Sequence, residues 1–170
     1  ARFSGTHTFN TAGTLNLTAY TNLTVEFFMR SAAATPSMAL VEQTNPFYSN
    51  SGAFIVTLNE TNAAGQIMGG FCTATGTKLN LDITTANAGA DGQWHHVAVV
   101  YDRSMTGAAR SRLYFDGVAQ GTFGSYADDT FTPFLNAKLY IGSRSNSTYK
   151  FSGELDDIRI TGAALAPTEF

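Results

Sequence analysis

The stretch Gly92-Gln-Trp-His-His-Val-Ala-Val-Val-Tyr-Asp102 decides the fold of this chain. Residues 94–101 are almost all apolar, which predicts a central β-strand with both faces covered. Trp94, the only tryptophan, is therefore expected in the core, and a role as a platform for stacking a sugar is the less favoured alternative. A second apolar strand follows and ends at Asp116-Gly117, a pair typical of tight hairpin turns because both turn residues need positive φ angles.

His95 and His96 are adjacent in this strand. Neighbouring side chains of a strand point to opposite faces, so these two imidazoles do not chelate one metal ion together. We expect both to be structural histidines with hydrogen-bond partners.

The rest of the chain repeats a short-strand pattern. Runs rich in Val, Ile, Thr, Phe and Tyr alternate with Gly, Asn, Ser and Asp, and helical periodicity is almost absent. In residues 23–30 every odd position is apolar, whereas Thr24, Glu26 and Arg30 suit a more polar face. Further strands are predicted at 37–42, 52–58, 66–72, 78–83, 138–143 and 154–161. The pattern predicts one all-β domain over residues 1–170, a sandwich or a barrel.

Composition limits the function. Only 14% of the 170 residues are charged and the net charge is −3. The chain has no basic stripe and no apolar run of bilayer length, which argues against nucleic-acid binding and membrane insertion. The single cysteine, Cys72, excludes an internal disulfide and a cysteine-based zinc site. A surface made of Thr, Ser and Asn is common in secreted β proteins, so we expect a secreted, extracellular or cell-surface location.

Four motifs together resemble a laminin-G-like domain of the concanavalin A-like lectin/glucanase superfamily. They are residues 92–99, Leu113-Tyr-Phe-Asp-Gly117, Leu139-Tyr-Ile-Gly142 and Phe151-Ser-Gly-Glu-Leu-Asp-Asp-Ile-Arg-Ile160. The resemblance implies a two-sheet antiparallel jelly-roll β-sandwich. It also implies that the domain binds glycans, glycoproteins or cell surfaces and is not an enzyme. Members often carry Asp between the Phe and Gly of an opening motif, where this chain has Ser4, which weakens any metal site taken over from the family.

The last motif predicts a β-bulge and a metal site. Leu155 and Ile158 are an odd number of residues apart, so a bulge at 156–157 is needed to place both on one face. A bulge frees backbone carbonyls, and Ca²⁺ prefers such hard oxygen ligands. Related sandwiches hold calcium where the first and last strands meet, so the prediction is one structural calcium ion held by Asp156 with main-chain oxygens near Ser4 and Gly5. The alternative is that the Asp156 carboxylate accepts hydrogen bonds from backbone N–H groups or pairs with Arg159.

Glu154 and Asp156 also begin the Glu-x-Asp-x-(x)-Glu pattern of retaining glucanases, in which one residue is optional. Such enzymes need a second carboxylic acid as acid/base. Ile158 and Arg159 stand where that glutamate belongs, so hydrolase activity is the least favoured interpretation.

Two loops, 45–50 and 144–149, combine aromatic rings with amides, hydroxyls and a guanidinium. These groups can stack on the C–H face of a sugar and hydrogen-bond to its hydroxyls. The candidate ligand residues are Phe47, Tyr48, Asn50, Tyr126, Arg144, Asn146 and Tyr149. The alternative is that they are ordinary turn residues with aromatic rings folded inward.

Two functions are consistent with these residues and motifs. The first is a non-catalytic, lectin-like accessory module whose partner is a glycan or glycoprotein. The second is a structural or adhesive module that packs against neighbouring domains of its own polypeptide or against another protein. Exposed aromatic rings beside polar groups in a cleft favour the first function, and a wide, flat apolar patch favours the second.

Overall fold

The computed structural model describes residues 1–33, 35–43, 51–59, 65–74, 78–84, 88–123, 134–145 and 148–170. The described strands are β1 (Arg2–Ser4), β2 (Phe9–Asn10), β3 (Leu15–Asn16), β4 (Leu23–Arg30), β5 (Met38–Gln43), β6 (Phe54–Leu58), β7 (Ile67–Ala74), β8 (Lys78–Ile83), β9 (Trp94–Tyr101), β10 (Ser111–Phe115), β11 (Val118–Ala119), β12 (Gly121–Phe123), β13 (Asn136–Ala137), β14 (Leu139–Ile141) and β15 (Ser152–Thr161). Single 3₁₀ turns occur at Gly107–Arg110 and Pro167–Glu169. Neither turn approaches the length that a membrane-crossing helix needs, and no other described segment forms such a helix.

Two large antiparallel sheets form a β-sandwich, as predicted. The first sheet has the strand order β1-β15-β4-β9-β10-β11, and the second has the order β12-β8-β7-β6-β5-β14-β2. β13 and β3 form a small third sheet.

The core lies between the two large sheets. The odd positions of β4 (Leu23, Val25, Phe27 and Met29) are fully buried, which confirms the predicted apolar face. On the opposite face Thr24 and Glu26 are buried too, and only Phe28 and Arg30 are exposed. An aromatic cluster joins the sheets: the ring of Phe71 on β7 lies 5.4 Å from that of Tyr101 on β9 and 5.9 Å from that of Phe134. These buried rings hold the two layers together.

The turn and bulge predictions are also confirmed. Asp116 and Gly117 have φ angles of 50° and 77° in the hairpin that joins β10 to β11. The pairing of β15 with β4 shifts register between Asp156 and Arg159, and Asp157 has a φ angle of 46°.

The prediction for Trp94 is wrong. β9 does lie between β4 and β10, but the Trp94 side chain is 44% exposed. Trp94 pairs with Arg30 at the end of the sheet, on its outer face. Only Val97 to Tyr101 are buried on both faces of the strand.

The C-terminal segment explains this difference, because it covers one end of the outer face of the first sheet. The Thr24 hydroxyl donates to the Ala163 carbonyl at 2.7 Å and accepts from the Leu165 N–H at 3.0 Å. The Phe170 ring lies 5.5 Å from the imidazole of His96. The face is therefore closed over Thr24 and remains open around Trp94.

Candidate functional site

A row of four polar or aromatic side chains crosses the open end of the first sheet. Arg2 pairs with Glu154, Glu154 with Arg30, and Arg30 with Trp94, each on the adjacent strand. Directly paired residues of neighbouring strands place their side chains on the same face. The row therefore runs across β1, β15, β4 and β9 on the outer face.

An open cleft of about 510 Å³ lies along the part of this row formed by Arg2, Glu154 and Arg30. Its size is within the range of small-ligand sites. The charged side chains of Arg2, Arg30 and Glu154 line it, together with Phe3 and the small residues Ser31, Ala32, Ala33, Gly92, Ser152 and Gly153.

The middle of the row is held in place by direct contacts. Arg30 Nε donates to Glu154 Oε2 at 2.6 Å, and Arg30 Cζ lies 5.2 Å from the centroid of the Trp94 ring. The guanidinium is thus fixed between a carboxylate and an aromatic ring. Trp94 does not itself line the cleft, but it contacts Arg30, which does, and it keeps nearly half of its surface exposed.

Close approach of β15 and β4 forms the floor of the cleft. The Ser31 hydroxyl donates to the Ser152 carbonyl at 2.8 Å. Gly153 has a φ angle of 154°, and a Cβ there would overlap the Arg30 carbonyl oxygen and the Phe151 ring. Glycine at this position allows the two strands to meet beneath the ligand-accessible surface.

The loop that leads into β9 is anchored by a histidine. His95 Nδ1 lies 2.8 Å from Asp116 Oδ2, and His95 Nε2 lies 3.0 Å from Asp91 Oδ1. Partial burial disfavours the charged imidazole, but the hydrogen bonds to Asp116 and Asp91 outweigh it and raise the pKa of His95. The backbone N–H of Gln93 and the His95 ring lower the pKa of Asp91. The N–H of the adjacent Gly92 donates to the Ser31 carbonyl at 2.8 Å, which places Gly92 at the wall of the cleft.

His96 points the other way, to the outer face. Its Nε2 lies 3.1 Å from Oε2 of Glu26, a carboxylate that is only 1% exposed. Both histidines have partners on opposite faces of β9, which confirms the prediction that they are structural.

The residues predicted to bind calcium are not brought together. Ser4 pairs with Ser152, so Asp156 lies four residues farther along β15, about 13 Å away. The Ser4 hydroxyl instead hydrogen-bonds to Thr6 and to His7, each at 2.9 Å. Calcium–oxygen distances are about 2.3–2.6 Å, so one ion does not bind Asp156 together with Ser4 or Gly5 in this register.

Nor do other acidic or histidine side chains form a cluster here: within the described ranges, no three His, Cys, Asp or Glu residues are grouped as metal ligands. Arg159 Nε lies 3.6 Å from Glu26 Oε1 and 3.8 Å from Asp157 Oδ2, so its ion-pair partners are Glu26 and Asp157, not Asp156.

Calcium binding by Asp156 with other oxygens stays a prediction. If it occurs, removing the ion with EDTA should lower the melting temperature by roughly 5–10 °C, because a ligand that binds only the native state stabilises it. The Asp156→Asn variant should melt at the lower temperature with or without EDTA. An unchanged melt, with no calcium found by mass analysis, would contradict the prediction.

Of the predicted ligand residues, Phe47, Tyr48, Asn50, Tyr126 and Asn146 lie outside the described residues. The structure does bring Arg144 and Tyr149 together. Arg144 Cζ lies 4.4 Å from the centroid of the Tyr149 ring, and Arg144 Nε lies 3.3 Å from Oε2 of the buried Glu42 on β5. Tyr149 is 39% exposed, so this pair offers a second, smaller surface of the predicted chemistry.

Comparison with known families identifies the fold. A laminin-G-like family model, described as concanavalin A-like lectin/glucanases superfamily, matches residues 3–169. The chain belongs to this superfamily. The match confirms the resemblance seen in the sequence motifs. It includes Arg30, Trp94 and Glu154 of the row, and Arg2 lies just before its first residue.

Solved structures with the superfamily fold include several carbohydrate complexes. The Ruminococcus gnavus IT-sialidase CBM40 bound to α2,6-sialyllactose is 13% identical, with 99% of this chain and 93% of that chain covered and a TM-score of 0.66. Domain 4 of AbnA, an extracellular arabinanase from Geobacillus stearothermophilus, in complex with arabinotriose is 17% identical, with 99% and 72% covered and a TM-score of 0.62.

A third similar structure is the heptameric SAP-like pentraxin of Limulus polyphemus, with 16% identity, coverage of 99% and 77%, and a TM-score of 0.65. No curated protein matches the chain. At these identities the likeness shows the shared fold alone.

Proposed function

We propose that this domain binds carbohydrate without catalysis, and that the cleft along the row Arg2–Glu154–Arg30–Trp94 is its binding site. The observation that carries the proposal is the exposed Trp94 ring against the Arg30–Glu154 ion pair, whose two side chains line an open cleft.

The chemistry of this row suits a sugar. A pyranose ring has an apolar C–H face and a rim of hydroxyls, so one surface needs an aromatic platform and the other needs donors and acceptors. Trp94 supplies the platform. Arg30 donates hydrogen bonds and Glu154 accepts them. Their mutual contact fixes both side chains before the ligand arrives, which lowers the entropy lost on binding.

Two similar structures support a glycan ligand. The R. gnavus CBM40 and the AbnA domain, both solved with oligosaccharides, share this fold. The low charge and the Thr-, Ser- and Asn-rich composition support a secreted or cell-surface location for such a module.

The cleft does not offer the groups of a glycosidase, which uses two carboxyl groups across the scissile bond. Among the described residues that line the cleft, Glu154 is the only acidic one, and Arg30 already binds it. A binding function therefore suits this cleft better than hydrolysis.

The alternative, an adhesive module that binds a protein, would use a broad apolar patch. The two most exposed large apolar side chains of the described residues are Val118 on β11 and Phe9 on β2. They lie on different sheets, which favours the glycan over the protein partner.

Replacing Trp94 tests the proposal. Glycans that bind the wild-type domain are first identified on a glycan array. The Trp94→Ala variant should lose about 2–3 kcal/mol of binding free energy, because no ring is buried against the ligand, and calorimetry should show binding weakened by about 30- to 150-fold. Trp94→Phe should retain part of the affinity. Because Trp94 is only 44% exposed, Trp94→Ala should also lose about 1–2 kcal/mol of stability and melt roughly 2–8 °C lower, while remaining folded at the temperature of the binding assay.

Tyr149→Ala is the matched control for the second surface. If it abolishes binding while Trp94→Ala does not, the glycan site lies at Arg144 and Tyr149. If the wild-type domain binds no glycan, the carbohydrate proposal is wrong and the protein-binding alternative gains.

A further inference from the structure

Arg2 is a charged side chain of the cleft that has no bonding partner among the described residues. It is exposed, and no described residue forms a hydrogen bond or an ion pair with its guanidinium. Arg30, by contrast, binds Glu154. Two arginines and one glutamate leave one uncompensated positive charge in the cleft, although the whole chain carries a net charge of −3.

We infer that the cleft prefers acidic oligosaccharides, with Arg2 binding the carboxylate of a uronic or sialic acid unit while another ring of the same ligand packs on Trp94. This inference rests on the proposed function and names the class of ligand. A guanidinium with free donors matches a carboxylate in a two-pronged, charge-assisted contact.

The geometry of the row sets the length of this ligand. Arg2 and Trp94 are separated by three strand spacings, from β1 through β15 and β4 to β9, which is about 14 Å. A ligand that touches both residues must therefore be longer than a single sugar ring. Its acidic unit lies at the β1 end, and its stacked unit lies at the β9 end.

Neighbouring charges permit this orientation. Glu154, which lies next to Arg2 in the row, has its charge balanced by Arg30. Asp156 faces the same way but lies two residues, about 7 Å, farther along β15. A ligand carboxylate placed over Arg2 is thus next to a cation, and the Asp156 carboxylate is too far along β15 to repel it strongly.

Neutral sugars would still bind, but less tightly. Arg2 is exposed, so water solvates it when a neutral ligand is bound and no buried charge is left unpaired. The preference therefore equals the gain from one charge-assisted contact, about 10- to 100-fold in affinity.

The test uses ligand pairs that differ only in the acidic group: sialyllactose against lactose, and an oligogalacturonate against its methyl ester. Calorimetry at low salt should show tighter binding of the acidic member of a pair by about 10- to 100-fold. Arg2→Gln should lower the affinity for the acidic member of each pair to that for its neutral partner, and Arg2→Lys should keep part of the preference because the charge remains but the planar fork is lost. Arg103→Gln, which removes an exposed charge outside the cleft, is the control and should keep the full preference.

The outcomes separate the two proposals. If acidic and neutral members bind equally well through Trp94, the preference is wrong and glycan binding stands. If the preference survives in Arg2→Gln, or falls equally in Arg103→Gln, Arg2 is not the carboxylate ligand and the inference is overturned. If no glycan binds at all, the proposed function and the inference both fail.

Discussion

Replacing Phe71 by alanine is expected to lower the free energy of unfolding by about 3–5 kcal/mol, the usual cost of emptying a buried aromatic site. The Phe71 ring is fully buried and lies 6.1 Å from Phe54, 5.4 Å from Tyr101 and 5.9 Å from Phe134. Phe71 belongs to the second sheet and Tyr101 to the first, so the lost contacts are those that join the two layers. Urea denaturation measures the change.

Phe28→Ala is the control, since it removes the same atoms from the outer face of β4. Phe28 is 40% exposed, and its truncation should cost about 1–2 kcal/mol. If the two variants are equally stable, the aromatic cluster does not join the sheets as described.

The second large effect is expected at Gly142. Its φ angle is +74°, and an added Cβ would overlap the buried ring of Phe3. Left-handed backbone costs a non-glycine residue about 1–2 kcal/mol, and overpacking of a core costs about 1–3 kcal/mol. Gly142→Ala should therefore destabilise the domain by about 2–5 kcal/mol in the same denaturation experiment.

Gly117→Ala separates these two causes. Gly117 has nearly the same φ angle, +77°, but nothing lies within 4 Å of an added Cβ. It should show the backbone cost alone, and the difference between the variants measures the clash with Phe3. Phe3→Leu introduced into Gly142→Ala should recover part of the loss, because the smaller side chain makes room. Equal losses at Gly142 and Gly117 would show that the ring moves aside without cost.

Local patterns predicted the parts of the fold that depend on neighbouring residues. The alternation in β4 indicated its buried face, and the Asp116-Gly117 pair indicated the hairpin. The odd spacing of Leu155 and Ile158 indicated the bulge in β15. In each case the controlling residues lie within a few positions of one another.

Trp94 shows why the remainder was not predictable. Burial of β9 depends on the C-terminal segment, which packs over one end of the sheet and leaves the other open. The sequence of residues 94–101 does not indicate which end of the sheet that segment covers. The apolar run therefore predicted a strand correctly and the exposure of its first residue incorrectly.

The candidate site likewise depends on contacts between distant parts of the chain. Arg2, Arg30, Trp94 and Glu154 are scattered along the chain, and only the pairing of four strands places them in one row. Arg144 and Tyr149 are five positions apart, and their proximity could be expected from the sequence of one loop. For Arg30 the sequence did indicate one relevant feature, a position on the more polar face of β4.

The two ends of the row differ in how firmly the sheet holds them. Arg2 lies on β1, a strand of three residues at the edge of the sheet that pairs with β15 alone, whereas Trp94 lies on β9, a central strand that pairs with β4 along its whole length. Short edge strands open at a lower free energy than central ones. On warming, β1 would fray while the sandwich stays folded. If the domain binds acidic glycans as proposed, its preference for them should then be lost before a sugar ring ceases to stack on Trp94.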